Sequence, residues 1–181
     1  MKNKILVLII TILILGCNQK AEHKKSKFKV ARDYVEFTSK MEENDTLNIE
    51  VILSMCTWRE SDQLQITKSN NSIYIQLKEK RVMNDKPLHF KKVVYDLKND
   101  SLNLEKMMID FDINYQEDIS SPFFIIGNTK EKNKVFLRTT GLGNRGYNIE
   151  KYQRIMAKLY PKEMAKYREK YFMPSLLNEI E

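Results

Sequence analysis

Apolar side chains fall on every second position across three stretches: Leu47, Ile49, Val51, Leu53 and Met55, then Leu64 and Ile66, then Ile73, Ile75 and Leu77. In a strand, successive side chains point to opposite faces, so a period of two predicts a sheet with one apolar and one wetter face. Ser69-Asn70-Asn71-Ser72 separates the last two runs. Asparagine tolerates the left-handed torsions of a tight hairpin turn. Connections this short imply antiparallel pairing.

Further strands are expected at residues 28–37, 88–97, 123–126 and 135–139. Phe123-Phe124-Ile125-Ile126 is apolar at both parities, as in an interior strand covered on both faces. Residues 102–115 read two ways. Leu104, Met107, Met108, Phe111 and Tyr115 follow helical spacing behind a capping Asn103, while Ile109, Phe111, Ile113 and Tyr115 alternate as in a strand. The helix is the preferred reading.

Near the C-terminus, Ile149, Tyr152, Met156 and Leu159 share one helical face, with Asn148 placed to cap it. Pro161 stops that helix and suits the first turn of another, whose stripe is Met164, Tyr167 and Tyr171 and which Pro174 ends. The predicted class is α+β: an antiparallel sheet of about six strands followed by C-terminal helices packed on one face. Residues 29–181 have the size of a single globular domain.

The first residues say where that domain works. Met1-Lys2-Asn3-Lys4 precedes an apolar run from Ile5 to Leu15, then Gly16-Cys17. A basic start, a short apolar core and a small residue before the cut describe a secretory signal peptide. As a helix the run reaches only about 16 Å. That is too short for a bilayer core of about 30 Å. Leu13-Ile14-Leu15-Gly16-Cys17 resembles the lipobox of bacterial lipoproteins. The resemblance implies removal of residues 1–16 and a diacylglycerol on the Cys17 sulfur, leaving 17–28 as an acylated, basic tether. It covers the signal alone. Asn18, Gln19 and Lys20 follow the cysteine; by the same resemblance they favour an outer-membrane anchor facing the periplasm. Two or three acyl chains anchor durably, at about 0.8 kcal/mol per buried methylene.

Lipidation would consume one of two cysteines, so Cys56 would have no disulfide partner within the mature chain. Charge placement argues against nucleic acid. The net charge is +7, but residues 1–29 alone carry seven lysines against Glu22, which leaves the remainder nearly neutral. Inside the domain the charge is uneven, acidic over 30–128 and basic over 129–181. Those halves either attract each other or form two separate surfaces.

Candidate chemistry is sparse. Gly141-Leu142-Gly143-Asn144-Arg145-Gly146 fits the spacing of a phosphate-cradling loop, yet no strand follows to complete a βαβ unit. A weaker form is an anion site built from Gly141, Gly143, Arg145 and Gly146 at a helix start. A plain flexible connection is preferred. Asp110, Asp112 and Asn114 begin like a calcium loop, with Glu117 and Asp118 nearby, but Tyr115 and Ser121 occupy positions that require glycine and glutamate. Cys56 is expected to lie inert beneath a helix or loop, and a thiol nucleophile would require His89 beside it. Two histidines and one spare cysteine do not furnish a zinc site, and no metal or cofactor is expected. Basic and aromatic residues mix from Lys158 to Tyr171; aromatics packed on the sheet with wet lysines are favoured over a membrane-facing surface. The expected function is a non-catalytic binding or scaffold domain for an envelope protein or component, tethered to the membrane. The alternatives are a carrier of lipid or another apolar ligand and, less favoured, a hydrolase.

Overall fold

The alternating segments form the strands their spacing predicts. The computed structural model describes residues 26–114, 122–128, 133–139 and 141–172. Strands β1 (Thr46–Ile52), β2 (Glu60–Ser69) and β3 (Ser72–Val82) run as an antiparallel meander. Asn70 and Asn71 both take positive φ, 50° and 59°, at the β2–β3 turn. That is the geometry the right-handed twist of a two-residue hairpin selects. Four short strands complete the sheet: β4 (Val93–Val94), β5 (Asp112–Asn114), β6 (Phe124–Gly127) and β7 (Val135–Arg138). The order is β4-β3-β2-β1-β6-β7-β5, antiparallel throughout, with β1 at the centre.

Helices α1 (Val30–Asp33), α2 (Phe37–Lys40), α3 (Leu104–Ile109), α4 (Gly141–Leu159) and α5 (Pro161–Phe172) accompany the sheet. Tyr152, Ile155, Met156 and Leu159 of α4 and Met164 and Tyr167 of α5 join the inward rows of β1–β3 in one core. Tyr160, between the two helices, receives the Leu77 amide and donates to the Ile75 carbonyl, both at 3.1 Å, which pins the helical turn to β3. The other sheet face stays half exposed. The class is therefore α+β, an antiparallel sheet closed on one face by its C-terminal helices.

Three local expectations need correction. Residues 28–37 hold no strand. Val30, Tyr34, Phe37 and Met41 are all buried, and their spacing of four, three and four is helical. Residues 88–97 contribute only Val93–Val94, because chain beyond the β3 edge touches it at separate points: Leu88 with Lys80, Phe90 with Leu77, Tyr95 with Ile73. The glycine segment is not a connector. Helix α4 begins at Gly141, so Asn148 lies inside it and caps nothing. Residues 102–115 combine both readings, α3 capped by the Asn103 side chain at 2.8 Å, then β5.

The uneven charge is internal attraction. Lys151, Lys158 and Lys170 of the basic helices reach Asp110, Asp100 and Asp85 of the acidic half at 3.0, 2.6 and 2.8 Å.

Candidate functional site

The inward row of β2 is apolar at Ile66 and Leu64, then continues as Asp62 and Glu60. Opposite them β3 changes parity. The register slips by one between Gln63 and Leu64, leaving Lys78 bulged, so that Lys80 faces inward directly across from Asp62. A bulge inserts one residue and re-aims those beyond it. The result is a charged cluster in the core: Glu60, Asp62 and Lys80 are exposed by 3%, 0% and 1%.

Every member is compensated. Lys80 Nζ lies 2.5 Å from Glu60 Oε1 and 3.1 Å from Asp62 Oδ1. Tyr152 of α4 donates to Asp62 at 2.8 Å, Tyr167 of α5 donates to Glu60 at 2.6 Å, and the Trp58 indole donates to the same Glu60 oxygen at 2.9 Å. The ammonium also sits 4.3 Å from the Tyr167 ring centre. Burial pushes the Asp62 carboxyl up, against the pull of Lys80. Burial pulls Lys80 down, but the carboxylates of Asp62 and Glu60 outweigh it and the ammonium ends above its ordinary value. Burial raises both tyrosines, so Tyr152 and Tyr167 stay protonated and donate.

The cluster backs onto a surface cleft of about 360 Å³. Leu53 and Met55 come from the end of β1 and its turn, Trp58 from the run into β2, Ile149 from α4 and Phe172 from the end of α5. Gly146 faces this turn; a Cβ there would meet the Met55 sulfur at 3.9 Å, an ordinary contact. Phe172 and Tyr171 lie 5.9 and 6.0 Å from the indole. Met55 and Phe172 are 38% and 54% exposed, an unusual placement for large apolar side chains that are also neighbours across one cleft. A larger depression of about 480 Å³ lies on the open sheet face, lined chiefly by Asn48, Glu50, Gln63, Gln65, Lys78 and Lys134, the composition of a solvated sheet surface.

The residues singled out from sequence are dispersed. Cys56 is not buried beneath anything; it is exposed at the tip of the Met55–Trp58 turn, with φ of 54°. The primed turns that close two-residue hairpins take positive φ at their first position, which is where Cys56 stands. His89 donates from Nδ1 to the Lys78 carbonyl. Arg145 points inward and donates to the carbonyls of Ser54 and Ile52, both at 2.8 Å, while Gly141, Gly143 and Gly146 lie along the first turns of α4. Asp110 pairs with Lys151; Glu117 and Asp118 lie outside the described residues, as do Cys17 and the whole signal segment. Among the described residues no group of three His, Cys, Asp or Glu side chains is placed to hold a metal, and no helix is long and apolar enough to cross a membrane. Tyr160 and Tyr167 are buried against the sheet while Lys162, Lys166 and Lys170 are exposed, as preferred for that basic stretch.

Glu60, Asp62 and Lys80 were missed. Two acids in the inward row of Leu64 and Ile66 were a readable signal, and Val82, apolar on the opposite parity from Ile73 to Leu77, hinted at the slip. No protein-family model, curated protein or solved structure matches the chain.

Proposed function

We propose that this is a lipid-anchored envelope protein whose domain is a non-catalytic binding module, working through the cleft between Trp58 and Phe172. The carrying observation is the contrast between two neighbouring features. The charged groups of the core are spent on one another, each with its partners, whereas the adjoining cleft presents apolar and aromatic side chains to solvent. Buried, fully compensated charge is a structural element. An exposed aromatic-lined cleft is what a partner's side chains fill.

Anchoring rests on the lipobox resemblance. Ser26, where the described chain begins, is held to Asp45 at 2.7 Å beside the start of β1. The cleft lies past the other end of that strand. Seven residues at about 3.4 Å each separate the two ends by roughly 24 Å, which leaves the cleft away from the tether's point of attachment.

Two experiments test the halves of this reading. Cys17→Ser is expected to move the folded protein from the membrane to the soluble fraction; continued palmitate labelling of that variant would overturn the anchor. A photo-crosslinking residue at Thr57, beside the cleft, is expected to trap a discrete envelope protein in intact cells, and the same residue at Gln63 on the open sheet face is not. Lipid adducts at Thr57 in place of protein would favour the apolar-ligand carrier.

A further inference from the structure

The cleft has a property that a plain apolar socket lacks. Among the described residues that line it, the ionisable side chains are two carboxylates, Glu60 at its inner wall and Glu150 at its rim, with no cation beside them. Behind Glu60 the buried cluster sets two acids against one ammonium, so it brings no surplus cation to the aromatic wall. Two cations near it already have carboxylate partners, one of them loosely held. Lys170 is paired with Asp85, and Arg154 approaches Glu150 only to 3.9 Å, with both side chains more than 60% exposed. A pair that exposed is easily exchanged for a better one.

Aromatic faces and carboxylates together select one kind of occupant. A cation attached to an aliphatic stem gains from the indole quadrupole and from the carboxylates, while its stem covers the apolar wall. We propose that the cleft receives an arginine or lysine side chain from a basic, apolar segment of a partner protein. The stem lies against Met55, Ile149 and Phe172, and the charge sits between Trp58 and Glu150. A volume of about 360 Å³ suits one long side chain with its neighbour rather than a whole secondary-structure element. This rests on the binding-module reading and names the chemistry that module recognises.

Trp58 is the chain's single tryptophan, so indole emission reports directly on the cleft. The full-length chain in nonionic detergent is titrated with acetyl-Leu-Arg-Leu-amide and with the same peptide carrying citrulline, the neutral isostere. A saturable emission change is expected with the arginine peptide, and binding weaker by about tenfold with citrulline, the ratio that loss of one charge-assisted contact produces. Glu150→Gln, at an exposed position, is expected to remove most of that preference and leave the fold unchanged by circular dichroism. Phe172→Ala is expected to weaken both peptides together. Equal affinity for the two peptides in the unaltered protein overturns the charge selection while leaving a binding cleft. No saturable change with either, in a protein that still crosslinks its partner through Thr57, overturns the assigned ligand alone. Failure of both titration and crosslinking overturns the binding-module reading as well.

Discussion

At Cys56 a side-chain-bearing residue holds φ at 54°, in the region where Cβ crowds the following carbonyl. Asn44, Asn70 and Asn71 hold similar torsions, but asparagine tolerates them; Cys56 and Met83, at 51°, are the less suited residues. Glycine at position 56 removes the clash, partly offset by the greater freedom it gives the unfolded chain. Cys56→Gly is therefore expected to raise stability by up to about 1 kcal/mol, and Cys56→Val to lower it by at least as much. Urea unfolding measures both, and a loss on going to glycine would contradict the strained-turn account. Because the thiol is exposed, iodoacetamide should modify it in the native state without unfolding the protein.

Among the elements, α4 shows most clearly how a tertiary contact reorganises a local signal. Three glycines in its first six residues disfavour a helix. Arg145 offsets this by donating to the Ser54 and Ile52 carbonyls as β1 ends, with its guanidinium 5.7 Å from the Phe123 ring. Ile52 is the last residue of β1 and Ser54 lies just past it, where buried carbonyls still need donors. Arg145→Ala is expected to cost about 1.5–3 kcal/mol, the range for hydrogen bonds to a charged group, and to fray the start of α4. Hydrogen exchange confined to Gly141–Tyr147, with a matching loss in urea unfolding, is the expected signature. An effect below about 0.5 kcal/mol would show that Arg145 does not hold the start of α4. The slip at Lys78 acts likewise: one extra residue turns Lys80 from the wet face to the core.

For the molecule as a whole, Glu60, Asp62 and Lys80 join the sheet to both long helices, through Tyr152 on α4 and Tyr167 on α5. Removing the ammonium leaves two buried carboxylates facing each other. Lys80→Met is expected to cost about 3–5 kcal/mol for that reason. The pH dependence carries a definite sign. Burial raises the folded-state pKa of Asp62 above its unfolded value, so the folded protein binds that proton more tightly. Its ionisation then costs stability, nothing below the unfolded pKa and the full amount above the folded one. As the pH rises above about 4, the ordinary carboxylate value, the native protein should lose stability relative to Asp62→Asn, which keeps an acceptor for Tyr152 without the charge. Parallel pH profiles for the two proteins would contradict this.

What the chain determined by itself were features whose physics is local or periodic. Alternation over 47–77 specified the meander, Asn70-Asn71 its turn, and Pro161 the break between α4 and α5, because backbone pleat, left-handed torsions and a missing amide act within a few residues. The acidic and basic halves were legible as charge, but whether they met was not. Tertiary structure decided that, together with the helical course of residues 30–40, the inward turn of Arg145 and the exposure of Cys56. It also decided the candidate site. Trp58, Ile149 and Phe172 come from three separated segments, and the carboxylate behind them is held by a lysine that only a register slip brings inward. No window along the sequence contains those distances, since each is set by how sheet and helices bury their shared apolar surface.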